Sequence, residues 1–434
     1  MNEHELDLTL GAIGVSRTRV SATPALRERV RAVPLTTRQR RSWRSRVDDL
    51  RLQSMFSATK FVVAAAIVAL FGGFLVAGVL TQRGEEAVPA AATAQPGTFS
   101  PAGSLAESRS GHTATPLSDN RVLIVGGAGG GGQERTTAEV WDPTTESFTP
   151  AGEMVMPRAW HSAVRLADGR VLIVGGEGAN EDRTSAEVWD PVTESFDPVD
   201  RLTDERGWRP STTLLPDGRV LVMGGVHETG RGAQASTEIW DPETATFSPA
   251  GEMADSRVDQ TATLLPDGRV LVVGGGTYRE GAPGITSAEV WDPETATFSP
   301  AGEMAEAREG HTATLLPDGR VFVVGGWTGS VPQAALAEVW DARTASFSPA
   351  GALLKLKGRG YHTATLLPDG RVLVVGGFHS DGSEPTLAEV WDPVTASFSP
   401  AGALAEARDL STATLLEDGR VLVVGGDGAE IWSP

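Results

Sequence analysis

Gly310-His-Thr-Ala-Thr-Leu-Leu-Pro-Asp-Gly-Arg-Val-Phe-Val-Val-Gly-Gly326 is followed, after a variable stretch, by Ala337-Glu-Val-Trp-Asp341 and Phe347-Ser-Pro-Ala-Gly351. Copies of this pattern fill the C-terminal three-quarters of the chain. Their Gly-Gly doublets begin at Gly126, Gly175, Gly224, Gly274, Gly325, Gly376 and Gly425, in steps of 49, 49, 50, 51, 51 and 49 residues. Each copy breaks into four strand-like pieces. Strand A, His311 to Leu316, meets strand B, Arg320 to Val324, through Pro317-Asp318-Gly319, where proline presets a tight turn and glycine takes its left-handed position. The first copy has Asn120 in that place, the other residue that tolerates the conformation. Strand B is apolar throughout, as a strand packed on both faces must be. Strand C is Ala337 to Trp340, and strand D centres on Phe347. A period of about 50 residues with four strands per unit predicts an all-β propeller.

Counting the pieces predicts how the ring closes. The strand C tryptophan occurs seven times, at Trp141, Trp189, Trp240, Trp291, Trp340, Trp391 and Trp432. The strand D phenylalanine also occurs seven times, at Phe99, Phe148, Phe196, Phe247, Phe298, Phe347 and Phe398. The array nevertheless begins with a strand D, at Thr98, and ends with a strand C, at Trp432. Pairing the two ends gives seven complete blades over residues 98–434, with residues 98–105 as the closing strand of the last blade. Closure hides the sheet edges that an open array would expose.

Charge is divided unevenly along the chain. The net charge is -19; residues 1–60 hold 12 Arg or Lys against 6 Asp or Glu, a net of +6, which leaves -25 for the remainder. Between the two lies Phe61 to Leu80, 20 residues without a charge or a proline, long enough to cross the roughly 30 Å hydrocarbon core as one helix. Arg38, Arg40, Arg41, Arg44, Arg46, Arg51 and Lys60 precede it, so the positive-inside rule predicts a cytoplasmic N-terminus and an extracytoplasmic propeller. A cleaved signal peptide would need a shorter basic region and a shorter apolar core. The expected order is therefore a basic cytoplasmic region (1–60), a transmembrane helix (61–80), an Ala/Pro-rich stalk (81–97) and the propeller. The absence of cysteine excludes disulfides and thiol chemistry.

The repeat resembles the kelch family in three features: an Arg-x-x-His lead into strand A, a hydrophobic run ending in Gly-Gly, and a Glu-x-aromatic-Asp strand C. Residues 98–434 carry the resemblance. Phe stands on strand D where kelch repeats usually have Trp, and Trp on strand C where they often have Tyr. The resemblance implies a seven-bladed propeller that binds proteins, binds sugars or supports an enzyme, and fold does not choose among these.

Antiparallel order puts the A–B and C–D turns on one rim and the B–C and D–A loops on the other. The second rim carries the variation: from the doublet to the strand C Glu the separations are 12, 11, 13, 14, 12, 12 and 4 residues. Binding is expected there. Arg109, Arg158, Arg206, Arg257, Arg308, Arg359 and Arg408 recur just before strand A and are suited to a carboxylate or an acidic sugar. The other reading makes each a brace between blades, bonded to carbonyls or to nearby acids such as Glu306, Glu309, Asp259 and Asp409. Trp160, Trp208, Trp327, Tyr361, Tyr278, Phe378 and His379 are bulky where the consensus is small, which suits either a sugar or protein surface, or packing of one loop on the next. His112, His161, His311 and His362 share one repeat position but sit on different blades, so neither a metal nor any other cofactor is expected.

Copper radical chemistry of the kind found on kelch scaffolds needs a Cys crosslinked to Tyr and is excluded. The acidic propeller argues against nucleic acid. The expected function is a protein- or glycan-binding module outside the cell. A mutarotase-like sugar enzyme, or a sensor signalling through residues 1–60, are the alternatives.

Overall fold

The computed structural model describes residues 97–178, 183–227, 232–278, 284–328, 336–354, 359–379, 386–408 and 410–434. The basic region, the apolar span and all but the last residue of the stalk lie outside the described residues.

The repeats form a seven-bladed β-propeller. Blade five shows the pattern, with strands Thr312–Leu315, Val321–Val324, Leu336–Asp341 and Ser346–Ala352 in antiparallel order. Val321 faces Trp340, and Trp340 faces Phe347, so the two marker aromatics of each repeat are cross-strand neighbours. Strand A is shorter at each end than the sequence pattern suggests. The seventh blade runs Thr412–Leu415, then the continuous stretch Val421–Ser433, then the N-terminal strand Thr98–Arg109. Thr98 pairs with Ser433 and Phe99 with Trp432, and pairing continues through two irregularities to Arg109 opposite Gly426. The closing strand therefore extends past residue 105.

Strand B is buried along its whole length because successive residues serve different interfaces. Leu123 and Val125 pack with Val171, Ile173 and Trp189 of the next blade, while Val122 and Ile124 pack with Leu422, Val424 and Ile431 of the previous one. The core is thus seven wedges between blades, which explains why an apolar run replaces the alternation of a one-sided strand. Six of the seven wedges are pinned by an indole N–H: Trp340 Nε1 donates to the Ala301 carbonyl at 2.8 Å, and five other strand C tryptophans do the same. Trp240 is the exception, its Nε1 having no partner among the described residues. The preceding blade reads Val199-Asp200 where the others have Ala-Gly, and its strand D stops at Pro198.

The A–B turns are built alike. Gly319 has φ of 83°, and Asp318 accepts from the Arg320 backbone N–H at 3.1 Å and from its Nε at 2.8 Å. Asn120 takes the same left-handed place at φ of 67°. These turns, with the C–D turns, make the uniform rim. Thr98 begins its strand at that rim, whereas the Gly-Gly doublets lie at the other.

Candidate functional site

The seven recurring arginines lie inside the wall. Arg308 has no solvent-exposed surface; its Nη2 reaches Glu338 of strand C at 3.0 Å and its Nη1 donates to the Gly325 carbonyl at 2.9 Å. All seven pair with a strand C glutamate, at 2.6 to 3.2 Å: Glu139, Glu187, Glu238, Glu289, Glu338, Glu389 and Glu430. Each glutamate also accepts a backbone N–H from the strand D segment of the preceding blade, as Glu338 does from Ala305 at 3.0 Å. Arg109, Arg158, Arg257, Arg308, Arg359 and Arg408 are therefore blade-to-blade braces, and none lines the channel mouth. Their partners differ from the sequence expectation: the strand C glutamates answer them, not Glu306, Glu309 or Asp259, and Asp409 lies outside the described residues. Burial lowers the Arg308 pKa, and Glu338 opposes that.

The histidines form a second belt. Nε2 of His112, His161, His311 and His362 meets the hydroxyl of Thr412, Thr113, Thr261 and Thr312 on the adjoining blade, at 2.8 to 3.1 Å. In blade four Gln260 takes the place and reaches Ser211 at 3.1 Å. Burial drives all four imidazoles down to a pKa of about 3, so they are neutral. They do not converge, and no group of three potential ligands able to hold a metal occurs among the described residues.

One residue before each belt position stands a ring that encircles the channel mouth: Gly111, Trp160, Arg209, Asp259, Gly310, Tyr361 and Leu410. Their spacing repeats the 49, 49, 50, 51, 51 and 49 steps of the doublets. All seven have left-handed φ, between 49° and 64°. Backbone bonds link neighbours around the ring: Trp160 N–H to Gly111 O at 2.8 Å, Arg209 to Trp160 at 2.9 Å, Tyr361 to Gly310 at 2.8 Å. Five of the seven are not glycine; the same left-handed φ recurs at Glu146, Glu194, Ala245, Ala296, Ala345 and Ala396 in the C–D turns, so it is a device of the repeat at both rims. The match in spacing shows that the extra residue of blade three lies between Arg206 and Arg209.

The ring side chains meet over a cavity of about 290 Å³ to which all seven blades contribute. Arg209 reaches across it. Its guanidinium lies 4.4 Å from the Trp160 ring and 4.1 Å from the Tyr361 ring, and its Nη1 donates to Asp259 at 3.0 Å. The Tyr361 hydroxyl donates to the other Asp259 oxygen at 3.0 Å. Burial and Asp259 push the Tyr361 phenol well above its usual range. The rings are seated on glycine: a Cβ on Gly310 would stand 2.6 Å from Tyr361 Cε1, and one on Gly111 would stand 2.8 Å from Trp160 Cδ2. A larger residue at either glycine would dislodge the neighbouring ring.

The remaining aromatics spread outward from this centre. Trp208 meets Trp160 edge-on at 5.8 Å and Tyr278 at 6.1 Å, and Tyr278 is 52% exposed. Trp327 lies 6.4 Å from Tyr361 and covers Gly360. Phe378 is half-buried and bridges Gly360 through its backbone, and His379 is buried. Trp160 and Tyr361 thus reach the mouth, Trp208, Tyr278, Trp327 and Phe378 lie next to its residues or to one another, and His379 is buried. Arg209, Asp259 and Leu410 were missed by the sequence reading, although the residue before the histidine position was a findable signal.

No protein-family model matches the chain, and no curated protein is significantly similar to it in sequence. A solved structure similar to it is that of a fungal alcohol oxidase of the AA5 family, in complex with copper. It has a TM-score of 0.61 and 19% identity, with 78% of this chain and 77% of that one covered. At this identity the likeness shows the fold.

Proposed function

We propose that the chain is a membrane-anchored, kelch-type propeller that presents a sugar-binding mouth outside the cell. The observation that carries the reading is the cavity at the channel mouth. There the repeat is interrupted by Trp160, Arg209, Asp259 and Tyr361, which bring an ion pair, a phenol and an indole together in a space of about 290 Å³. Pockets of roughly 300 Å³ hold small ligands, so the space suits one sugar ring better than a protein surface. The apolar stretch 61–80 and its basic N-terminal flank support the anchor and the orientation. The Gly-Gly doublets and Glu-x-Trp-Asp strands support the kelch assignment.

The test is capture on a glycan array by the full-length chain in detergent, beside Asp259→Ala. The parent is expected to bind a defined set of glycans, and the variant to bind them about tenfold more weakly or worse, since it loses a charge-assisted hydrogen bond. A parent that captures no glycan refutes the reading.

A second reading, a mutarotase-like enzyme, is favoured by one observation. Burial and the nearby Asp259 hold the Glu309 carboxyl above the usual range, as a general acid needs. Failure to accelerate anomer exchange of any captured sugar, followed by NMR, would remove it.

A further inference from the structure

Resting on the sugar-binding reading, we infer that the mouth takes a neutral sugar and excludes acidic ones. Arg209 is the one cation among the described residues that line the cavity, and Asp259 already answers it at 3.0 Å. The Trp160 and Tyr361 rings both pack close on its carbon, at 4.4 and 4.1 Å, which leaves its remaining N–H groups, and the described residues offer them no second hydrogen-bond partner. Those groups can donate to a hydroxyl oxygen while the adjoining Asp259 accepts from the next hydroxyl. A vicinal diol fits both. A ligand carboxylate would gain the same N–H donors, but it would sit against Asp259, and like charges this close repel.

A second carboxyl strengthens the bias. Glu309 is next in the chain to Gly310 of the ring and holds its carboxyl over Gly276, beside the residues that line the cavity but outside them. The described residues give that carboxyl no hydrogen bond or ion pair. Ionised or protonated, it has bonding capacity for a hydroxyl of a ligand that extends past the cavity edge, whereas a carboxylate there would meet either a like charge or a single O–H. The histidines do not offset this. His112, His311 and His362 line the cavity as neutral imidazoles, already bonded to threonine. Because the aromatic faces nearest the centre carry Arg209 and the ring glycines, the sugar is held by its hydroxyls rather than by stacking.

The experiment uses the full-length chain in detergent on an array printed with hexosides, the matching hexuronides and sialosides, beside Asp259→Asn and Glu309→Gln. The parent is expected to capture hexosides and not the acidic set. Asp259→Asn removes the charge that repels a carboxylate and leaves Arg209 unanswered, so it is expected to gain uronide capture by about tenfold or more, the scale of one charge-assisted hydrogen bond. Glu309→Gln is expected to weaken hexoside capture without that gain. Uronide or sialoside capture by the parent at or above hexoside capture overturns the inference and leaves the sugar-binding reading standing. Capture of no glycan sinks both. An Asp259→Asn variant that still rejects uronides overturns the assignment of the exclusion to Asp259.

Discussion

Replacing His311 by glutamine should flatten the acid side of the stability curve by a calculable amount. The folded imidazole has a pKa of about 3, against 6.5 for the unfolded residue. Between these values the unfolded chain holds a proton that the folded one lacks. Stability from this group is therefore complete above pH 6.5 and is lost as pH falls toward 3. From pH 7 to pH 5 the loss is about 2 kcal/mol for one such histidine, and about 8 kcal/mol for the four of the belt, comparable with the whole stability of an ordinary domain. Glutamine is already native to the position: Gln260 reaches the neighbouring blade's hydroxyl without titrating. His311→Gln should retain the bond to Thr261 and reduce the pH 7 to pH 5 loss by about 2 kcal/mol. Urea unfolding at a series of pH values measures it, provided that fluorescence and circular dichroism give coincident transitions. If parent and variant lose the same stability to within about 0.5 kcal/mol, the imidazole is not held neutral by the fold and the reasoning fails.

Removing the carboxylate of a buried brace should be costly: Glu338→Ala strands the fully buried Arg308 guanidinium and orphans the Ala305 N–H, for a loss of about 3–5 kcal/mol in urea unfolding. The double change Arg308→Met with Glu338→Leu should recover most of that loss, and no recovery would argue against an electrostatic origin. Gly310→Ala should cost about 1–2 kcal/mol for its left-handed backbone and push Tyr361 off its seat, which near-ultraviolet circular dichroism would register. An unchanged spectrum would mean that Tyr361 does not depend on Gly310 for its position. The glycan-array comparisons of the parent with Asp259→Ala, Asp259→Asn and Glu309→Gln complete the set.

Blade number and closure were legible because they follow from counting: an unpaired strand D at Phe99 and an unpaired strand C at Trp432 have only each other. The role of the arginines was half legible. Their recurrence in every repeat marked them as structural, but the pairing of Arg308 with Glu338 spans 30 residues and depends on how strands D and C of adjoining blades approach. No local pattern encodes that. The mouth was legible in its aromatics and hidden in its charges. Trp160 and Tyr361 were conspicuous as bulky residues, whereas Arg209 and Asp259 look like ordinary loop residues until the ring is aligned. The extra residue of blade three obscured that alignment, since counting from Arg206 puts Trp208 where Arg209 belongs.

The closing pair of strands also bears on how the molecule is made. Thr98 finds its partner in Ser433, so the first strand of the propeller waits for strand C of its seventh blade. Until then, six blades can assemble with two open edges, and the N-terminal strand stays a free β-segment able to pair elsewhere. A chain broken off before Glu430 would lack strand C of the last blade and leave its own first strand without a place. The ring therefore cannot close before Ser433 has been made, and a copy that stops short of it is marked by an exposed strand at the start of its propeller as well as at the end.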